Sequence, residues 1–487
     1  MNTITNIIKV FINAALLLIL ISEVSYAMSG SVPTASTSVL SKTTPPNIVL
    51  VLADDMSGFD VGAYHQSIEN LPQNAITPNI DKIAHEGMMF THAFTATAMC
   101  GPTRMQLYTG LYPVRNGAYG NHTRVYDGVK SAAHYFRDMG YRVGLSGKGH
   151  IFPGKAFPFQ RVGKENKGAE GESSFGIENT RQFMAKDSAQ PFFLVVASSN
   201  PHVPWNRGEK NQYPADQLQV PVFLNDTKDL RKQLSQYLAE VSDLDREVGL
   251  LEAEVEKLGI KNDTIFIFTS EQGSSLPYGK WTNYDSGLRT AFIIRWPNQI
   301  AAGTQTDAMI EYVDVVPTLT DLAKGTIPHN LDGKSFKAVL QGKASAHKDF
   351  VYGIQTSMNI HEGAPYPIRS VRGKKYKLIH NLMPEGDFSN IVSNTSWFET
   401  ELQTEKILNK NNYANYIKRP EYELYDMAAD PFEQTNLIGK AEYNTELSVL
   451  KNKLAAWMDR QGDSGIAIEL SVCERKGFNH RGCKSSP

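Results

Sequence analysis

Four short apolar runs, each ending in an abrupt polar cluster, constrain this chain more than any other feature. "PNIVLVLADD" carries Asp54 and Asp55 at its end, "YRVGLSGKGH" carries Lys148 and His150, "PFFLVVASSNPH" carries His202, and "DTIFIFTSEQG" carries Glu271 and Gln272. Each run is apolar without alternation, as a strand buried on both faces must be. Helical stretches lie between them. "TPNIDKIAHEG" opens on Thr77 as N-cap with Pro78 at the first helical position and stops at Gly87, and "KSAAHYFRDMG" stops at Gly140. Strands alternating with helices predict an α/β fold, with a large, mainly parallel sheet flanked by helices. In such sheets ligands bind beyond the carboxyl ends of the strands. All four clusters lie at those ends, so they can converge on one site.

The longest helical pattern spans "KDLRKQLSQYLAEVSDLDREVGLLEAEVEKLG". Its apolar residues, from Leu230 to Leu258, recur at spacings of four and three, which a coiled-coil dimer would also show. The reading adopted is a long helix packed on the sheet. Gly249 inside it marks a close approach to another element, and Gly259 ends it. From about residue 350 the pattern changes. "PIRSVRGKKYKLIHNL" reads as strands around a glycine turn, "YELYDMAADPFEQTNLI" as a strand, a turn and a return, and "NTELSVLKNKLAAWMDRQGD" as an amphipathic helix. These predict a smaller C-terminal antiparallel sheet with a helix. The expected organisation is a signal peptide over 1–27, a linker over 28–46, a catalytic α/β domain over 47–349 and a C-terminal α+β subdomain over 350–487.

The leader follows from Lys9, the apolar "VFINAALLLILI" and the small residues of "SYA" ending at Ala27. The apolar stretch is short for a membrane span, so cleavage, export to the periplasm or outside, and no stable membrane anchor are expected. Net charge is -2 and no long basic run occurs, so nucleic acid is not an expected partner. The chain has three cysteines. In an oxidising compartment Cys473 and Cys483 are expected to pair. That leaves Cys100 in "CGPTRMQLYTG" as the odd thiol, beside Arg104, and an odd thiol in an exported protein points to reactivity.

Adjacent Asp54 and Asp55 at a strand end repel each other unless a cation neutralises them. With Glu271 and Gln272 they make an all-oxygen set suited to Ca²⁺ or Mg²⁺. Three carboxylates and a divalent cation leave a formal charge of −1, which Arg104, Lys148 and Lys280 reverse. Metal plus these donors suits a tetrahedral anion, sulfate or phosphate. His150 and His202, each following a strand end, can donate or accept a proton near neutrality.

Taken together, these residues resemble the type I sulfatases of the alkaline phosphatase superfamily. "CGPTR" fits their C-x-P-x-R signature and "LYTGLYPVRNG" continues it. "NIVLVLADDMSGFDVGAY", "GKGH", "NPHVPW", "FTSEQG", "GKWTNYDSGLRTAFIIRWP" and "ELYDMAADPFEQTNL" follow in the family's order. The resemblance runs from about residue 46 to about residue 460. "GAYGNH" and "HEGAPYPIRSVRGKKYKLIHNL" look like the N-sulfoglucosamine sulfohydrolase (sulfamidase) branch, and sulfatases of marine polysaccharides such as ulvan or carrageenan are also similar.

The resemblance implies an alkaline phosphatase-like fold and hydrolysis of sulfate esters of a sulfated carbohydrate. It implies that a formylglycine-generating enzyme oxidises Cys100 to formylglycine during maturation. One hydroxyl of the hydrated aldehyde attacks sulfur, and loss of a proton from the other expels sulfate. By the same likeness one calcium ion is held by Asp54, Asp55, Glu271, Gln272 and modified Cys100. Arg104 orients the hydrate, Lys148 and Lys280 hold sulfate oxygens, His202 donates to the leaving oxygen or to sulfate, and His150 assists the formylglycine hydroxyl. His122, Arg124, His361 and Glu362 lie in loops that could border the sugar pocket. Two positions depart from the family: Thr103 stands where Ser is usual, and Glu271 and Gln272 stand where Asp-Asn or Asp-His is usual. Competing readings are a sulfamidase, a phosphoesterase of the same superfamily, and a carbohydrate-binding pseudo-sulfatase. The few histidines in the clusters argue against the two-zinc phosphoesterases. Retention of Cys100, Arg104, Lys148, His150 and Lys280 argues against a mere binding protein.

Overall fold

A computed structural model of the chain describes residues 45–475 except 69, 167–172, 359, 361–363 and 409–410. The expected leader, the expected linker as far as Thr44, and Cys483 lie outside the described residues. So do His361 and Glu362. Cys473 is disulfide-bonded and Cys100 is free.

The central sheet has nine strands: β1 (Asn47–Ala53), β2 (Met88–Phe94), β3 (Arg142–Gly147), β4 (Gln160–Lys164), β5 (Phe192–Ala197), β6 (Thr264–Ser270), β7 (Arg289–Arg295), β8 (Thr304–Thr306) and β9 (Ile310–Glu311). Their order is β4-β3-β5-β1-β6-β7-β2-β8, with β9 also paired to β2. Strands β4 to β6 in this order are parallel, and β7 runs antiparallel to both β6 and β2. The alternation of strands and helices therefore produces the mainly parallel sheet it predicts.

Side-chain alternation explains why the strands read as unbroken apolar runs. Val49, Val51, Leu194, Val196, Phe266 and Phe268 face one way, onto the helices Pro78–His85 and Lys228–Lys257. Ile48, Leu50, Leu52, Phe193, Val195, Ile265 and Ile267 face the other, onto the helix Cys100–Thr109 and its neighbours. Both faces are dry, so neither alternating set can be polar.

The stripe on the long helix is used inside the chain. Leu230, Leu234, Tyr237, Val241, Leu244, Val248, Leu251 and Val255 are all buried in the same core as the first strand set. A Cβ at Gly249 would meet the Asn79 side chain at 2.6 Å, which is the close approach the sequence suggested. Thr227 caps this helix by accepting from Leu230 N at 3.1 Å. Thr77 departs from expectation. It occupies the cap position of its helix, but its hydroxyl accepts from Gly62 N and donates to Asp81 instead of capping.

The second sheet is antiparallel: β10 (Phe350–Gln355), β11 (Ile368–Gly373), β12 (Tyr376–Asn381) and β13 (Tyr422–Asp426), paired in that order. The helix Asn444–Gln461 covers one face through Leu450, Leu454 and Trp457. The return strand expected after Asp426 does not form. Asn436 Oδ1 accepts from Leu424 N at 3.0 Å and closes the turn with a side chain. Two helices not foreseen in the sequence, Ser396–Leu408 and Asn412–Ile417, bury Phe398, Tyr413 and Tyr416.

Candidate active site

Asp54 and Asp55 follow β1, Lys148 follows β3, and Glu271 and Gln272 follow β6, so the sheet delivers them to one edge. The backbone ties these ends together. Asp54 N donates to Asn200 O, Glu271 N to Ala53 O and Lys148 N to Ala197 O, each near 3.0 Å. Asp55 has a φ of 63°, a strained turn that brings its carboxylate back beside that of Asp54. Cys100 begins the helix Cys100–Thr109 directly opposite. Its Sγ lies 3.8 Å from Asp54 Oδ1, 3.7 Å from Asp55 Oδ1 and 3.5 Å from Gln272 Nε2.

Each carboxylate faces a cation. Lys148 pairs with Asp54, Lys280 Nζ with Asp55 at 2.8 Å, and Arg104 Nε with Glu271 at 2.6 Å. His202 Nε2 lies 3.5 Å from Asp55 Oδ2, while its Nδ1 lies 2.6 Å from Val203 O. A carbonyl only accepts, so Nδ1 carries the hydrogen, and Nε2 is a donor only in the imidazolium. His150 Nε2 is 2.7 Å from His122 Nδ1, and both residues have positive φ.

Burial drives the protonation pattern, and the lysines overturn it. Burial would raise the Cys100 thiol, but Lys148 and Lys280 pull it well below its usual range. Burial opposes charge on Asp54, yet Lys148 and then His202 hold its carboxyl low. Burial likewise works against Lys148 and Lys280, and Asp54 and Asp55 respectively hold the two ammonium groups above their ordinary range. Burial pushes Glu271 well up against the pull of Arg104. It also depresses His150, whereas at His202 it is outweighed by Asp55 and the imidazole is raised.

Four donors gather closely enough to hold a metal ion, a thiol and an imidazole among them and Glu271 outside the cluster. Ligand atoms of Asp54, Asp55, Cys100 and His202 lie within 4.8 Å of one another. Gln272 Oε1 is buried with no hydrogen-bond partner, an orphaned oxygen acceptor that a cation would satisfy.

Of the residues singled out in the sequence, Asp54, Asp55, Cys100, Arg104, Lys148, His150, His202, Glu271, Gln272 and Lys280 gather here, and His122 joins through His150. Arg124 does not join through any contact among the described residues. Its side chain is exposed and pairs with Asp127 at 3.8 Å. Ser275 escaped the sequence reading. Its hydroxyl donates to Asp55 Oδ2 at 2.8 Å. Its one signal was its place just after the Glu271-Gln272 pair. Thr103 is fully buried and spends its hydroxyl on Thr97 O at 2.6 Å, away from the thiol.

Known proteins agree with this architecture. Residues 46–326 match the sulfatase family model, and residues 274–392 match the model of the C-terminal region of N-sulphoglucosamine sulphohydrolase. An ulvan-active sulfatase of Formosa agariphila is 32% identical, over 90% of this chain and 85% of its own. Human N-sulphoglucosamine sulphohydrolase is 28% identical, over 90% and 94% respectively. A solved Bacteroides thetaiotaomicron chain from the metabolism of multiple glycosaminoglycans superposes with a TM-score of 0.69 at 19% identity. It covers 89% of this chain and all of that one.

Proposed function

The chain belongs to the sulfatase family and is a sulfuric ester hydrolase, and on that premise we propose that it removes sulfate from a sulfated polysaccharide or its oligosaccharides, using formylglycine made from Cys100 and one calcium ion. The observation that carries this reading is the setting of Cys100. It is a buried residue at a helix start, between two carboxylates and within the field of two lysines. A structural cysteine gains nothing from such surroundings. An ulvan-active sulfatase and an N-sulphoglucosamine sulphohydrolase among the relatives favour a glycan substrate. The match of residues 274–392 keeps N-sulfate hydrolysis as the second reading.

Calcium would be held by Asp54, Asp55, Glu271, Gln272 and the modified residue 100, and would supply positive charge against the sulfate oxygens. Formylglycine would supply a hydrated aldehyde, with one hydroxyl as nucleophile and a second whose deprotonation releases sulfate. The remaining chemistry belongs to side chains already in place. Lys148 and Lys280 now neutralise Asp54 and Asp55. A cation taking those carboxylates would free both ammonium groups to hold sulfate oxygens. Arg104, fixed by Glu271 and by Lys148 O at 3.1 Å, keeps residue 100 oriented without itself moving. His202, with Nδ1 anchored on Val203 O, presents Nε2 as imidazolium to protonate the leaving oxygen. His150 is the neutral base for the release half of the cycle, its ring fixed by His122.

The N-terminal pattern supports export of the enzyme. N-terminal sequencing of the protein recovered from a native-type host should begin after Ala27, and an intact Met1 would sink that part of the reading.

The central experiment is the mass of the peptide spanning Cys100 from a host that can modify it. Formylglycine makes that peptide about 18 Da lighter than the thiol form. The lighter peptide is expected, together with sulfate release from ulvan or carrageenan oligosaccharides. Turnover by a preparation that carries only the thiol would overturn the mechanism. Release from N-sulfated glucosamine alone would install the second reading.

A further inference from the structure

A cleft of about 730 Å³ lies away from Cys100, where β2 and β7 meet the β11 end of the second sheet and the loop 427–434. Its walls carry His92, Arg289, Arg372 and Lys374 above apolar contacts from Met427 and Phe432. The chemistry at Cys100 uses none of these residues.

Arg289 differs from the other cations here in having no acid of its own among the described residues. Arg289 is 95% buried, with 5% relative exposure. It donates from Nε to Thr91 O at 2.7 Å and lies over the Phe59 ring at 5.6 Å. Among the described residues, its two terminal nitrogens have no acidic partner within ion-pair distance. Asp285, the nearest buried acid, is already engaged. It accepts from Arg372 Nε at 3.0 Å and from Lys377 at 2.9 Å. Glu433 is taken by Lys377 at 2.7 Å. Lys374 pairs outward with Asp307 at the exposed rim. Asp430 is the one acid among the described residues lining the cleft, and it accepts from Thr435 N at 2.7 Å.

The titration of the neighbours reflects burial beside two guanidinium groups. Burial, then Arg289 and Arg372, press the His92 imidazole down to about 2. Burial also lowers Arg289 itself to about 10, with Arg372 opposing the help of Asp285. A buried guanidinium without its own carboxylate, at the wall of an open cleft, is stabilised by an anion that enters.

We propose that this cleft is a second oxyanion site, which takes a sulfate-sized tetrahedral anion on the guanidinium group of Arg289, with only Nη2 of Arg372 left to assist, since its Nε is held by Asp285 and its Nη1 by Gly373 O at 3.0 Å. The planar guanidinium of Arg289 matches the oxygens of such an anion better than an ammonium group would. The anion has two sources. It is either free inorganic sulfate or a sulfate carried by the glycan at a position other than the one being cleaved. The second source rests on the glycan reading above; the site itself does not.

Selenate soaked into crystals of the intact protein locates the anion by its anomalous signal. Density within hydrogen-bond reach of Arg289 is expected, and its absence there overturns the proposal. Arg289→Gln should abolish that density, and density left undiminished in this variant also overturns it. Should Arg289→Gln fail to fold, Arg289→Lys keeps the charge, removes the fork and should reduce occupancy. Kinetics then separate the sources. A KM raised about tenfold or more on a sulfated oligosaccharide, with kcat and turnover of a small aryl sulfate unchanged, assigns the site to the glycan. Unchanged KM with lost selenate density assigns it to the free anion. Selenate bound in the cleft of a protein that hydrolyses no sulfate ester would sink the function proposed above and leave this site standing.

Discussion

Cys100→Ala removes a single sulfur from a site whose fold does not depend on it, because the helix Cys100–Thr109 is held by Arg104, Thr103 and its own buried face. Turnover should vanish while the thermal midpoint stays within the error of wild type; residual sulfate release would end the role assigned to Cys100. Thr103 gives the complementary test. Its hydroxyl donates to Thr97 O at 2.6 Å and its methyl is fully enclosed. Thr103→Val removes one of the two hydroxyls that donate to Thr97 O, the other being Thr95 Oγ1 at 3.0 Å, at a cost of about 1 kcal/mol in denaturant titration. Equal stability of the two proteins would mean that the hydroxyl is idle. At this scale the sequence was legible where chemistry and position coincide. Asp54, Lys148 and Glu271 follow strands directly, so their convergence could be read from strand ends alone. Ser275 could not, because it reaches Asp55 only through the irregular path after Gly273. Arg124 stays at the surface with Asp127, while its neighbour His122 reaches the centre through a positive-φ turn that no spacing rule predicts.

Among the elements, the long helix Lys228–Lys257 was the most legible and also carries the clearest pH dependence. Its stripe announced a buried face, and only Gly249 favoured an intramolecular partner over a second chain. Gly249→Ala would drive a Cβ into Asn79. Overpacking of about 1–3 kcal/mol should exceed the helix gain of up to ~1 kcal/mol, so the variant should unfold at lower denaturant. A stabilised variant would mean Asn79 yields freely. Glu247, on the same helix, accepts from Ser198 Oγ at 2.7 Å and Ser174 Oγ at 3.0 Å. Burial nevertheless pushes its carboxyl from 4.5 to about 7. Below about 4.5 the group is neutral in folded and unfolded chains and costs nothing. Between the two values the folded chain retains a proton that the unfolded chain has lost, so this residue's contribution to stability falls as pH rises, and the loss is complete above about 7. Thermal midpoints of wild type and Glu247→Gln should therefore diverge across that window in favour of the variant. Parallel profiles would show that Glu247 does not titrate there. The missing return strand after β13 was illegible for a local reason. A side-chain amide, Asn436, supplies the hydrogen bond that a strand partner would have made, and the sequence shows only the alternation.

Over the whole molecule, the parallel arrangement of β1, β3, β5 and β6 forces polar residues from four distant stretches into one buried corner. Three carboxylates, three cations, a free thiol and an orphaned amide oxygen share it. Burial raises the cost of every charge there, so the arrangement relies on mutual neutralisation. A divalent cation bound among Asp54, Asp55, Glu271 and Gln272 would satisfy the orphan and replace the lysines at the carboxylates. It would bind the folded chain, because the unfolded chain cannot assemble ligands drawn from residues 54 to 272. Binding that favours the folded state raises its stability, by about 2.7 kcal/mol when free metal stands at a hundred times its dissociation constant. The thermal midpoint should therefore climb with added calcium, fall after exhaustive chelation, and recover on readdition, in protein with the thiol or the modified residue alike. Gln272→Leu, which removes the orphaned oxygen and keeps the apolar volume, should blunt the climb. A midpoint indifferent to calcium and chelator in wild type would mean that the lysines alone neutralise this corner, and that Asp54 and Asp55 serve to hold Lys148 and Lys280 rather than a metal.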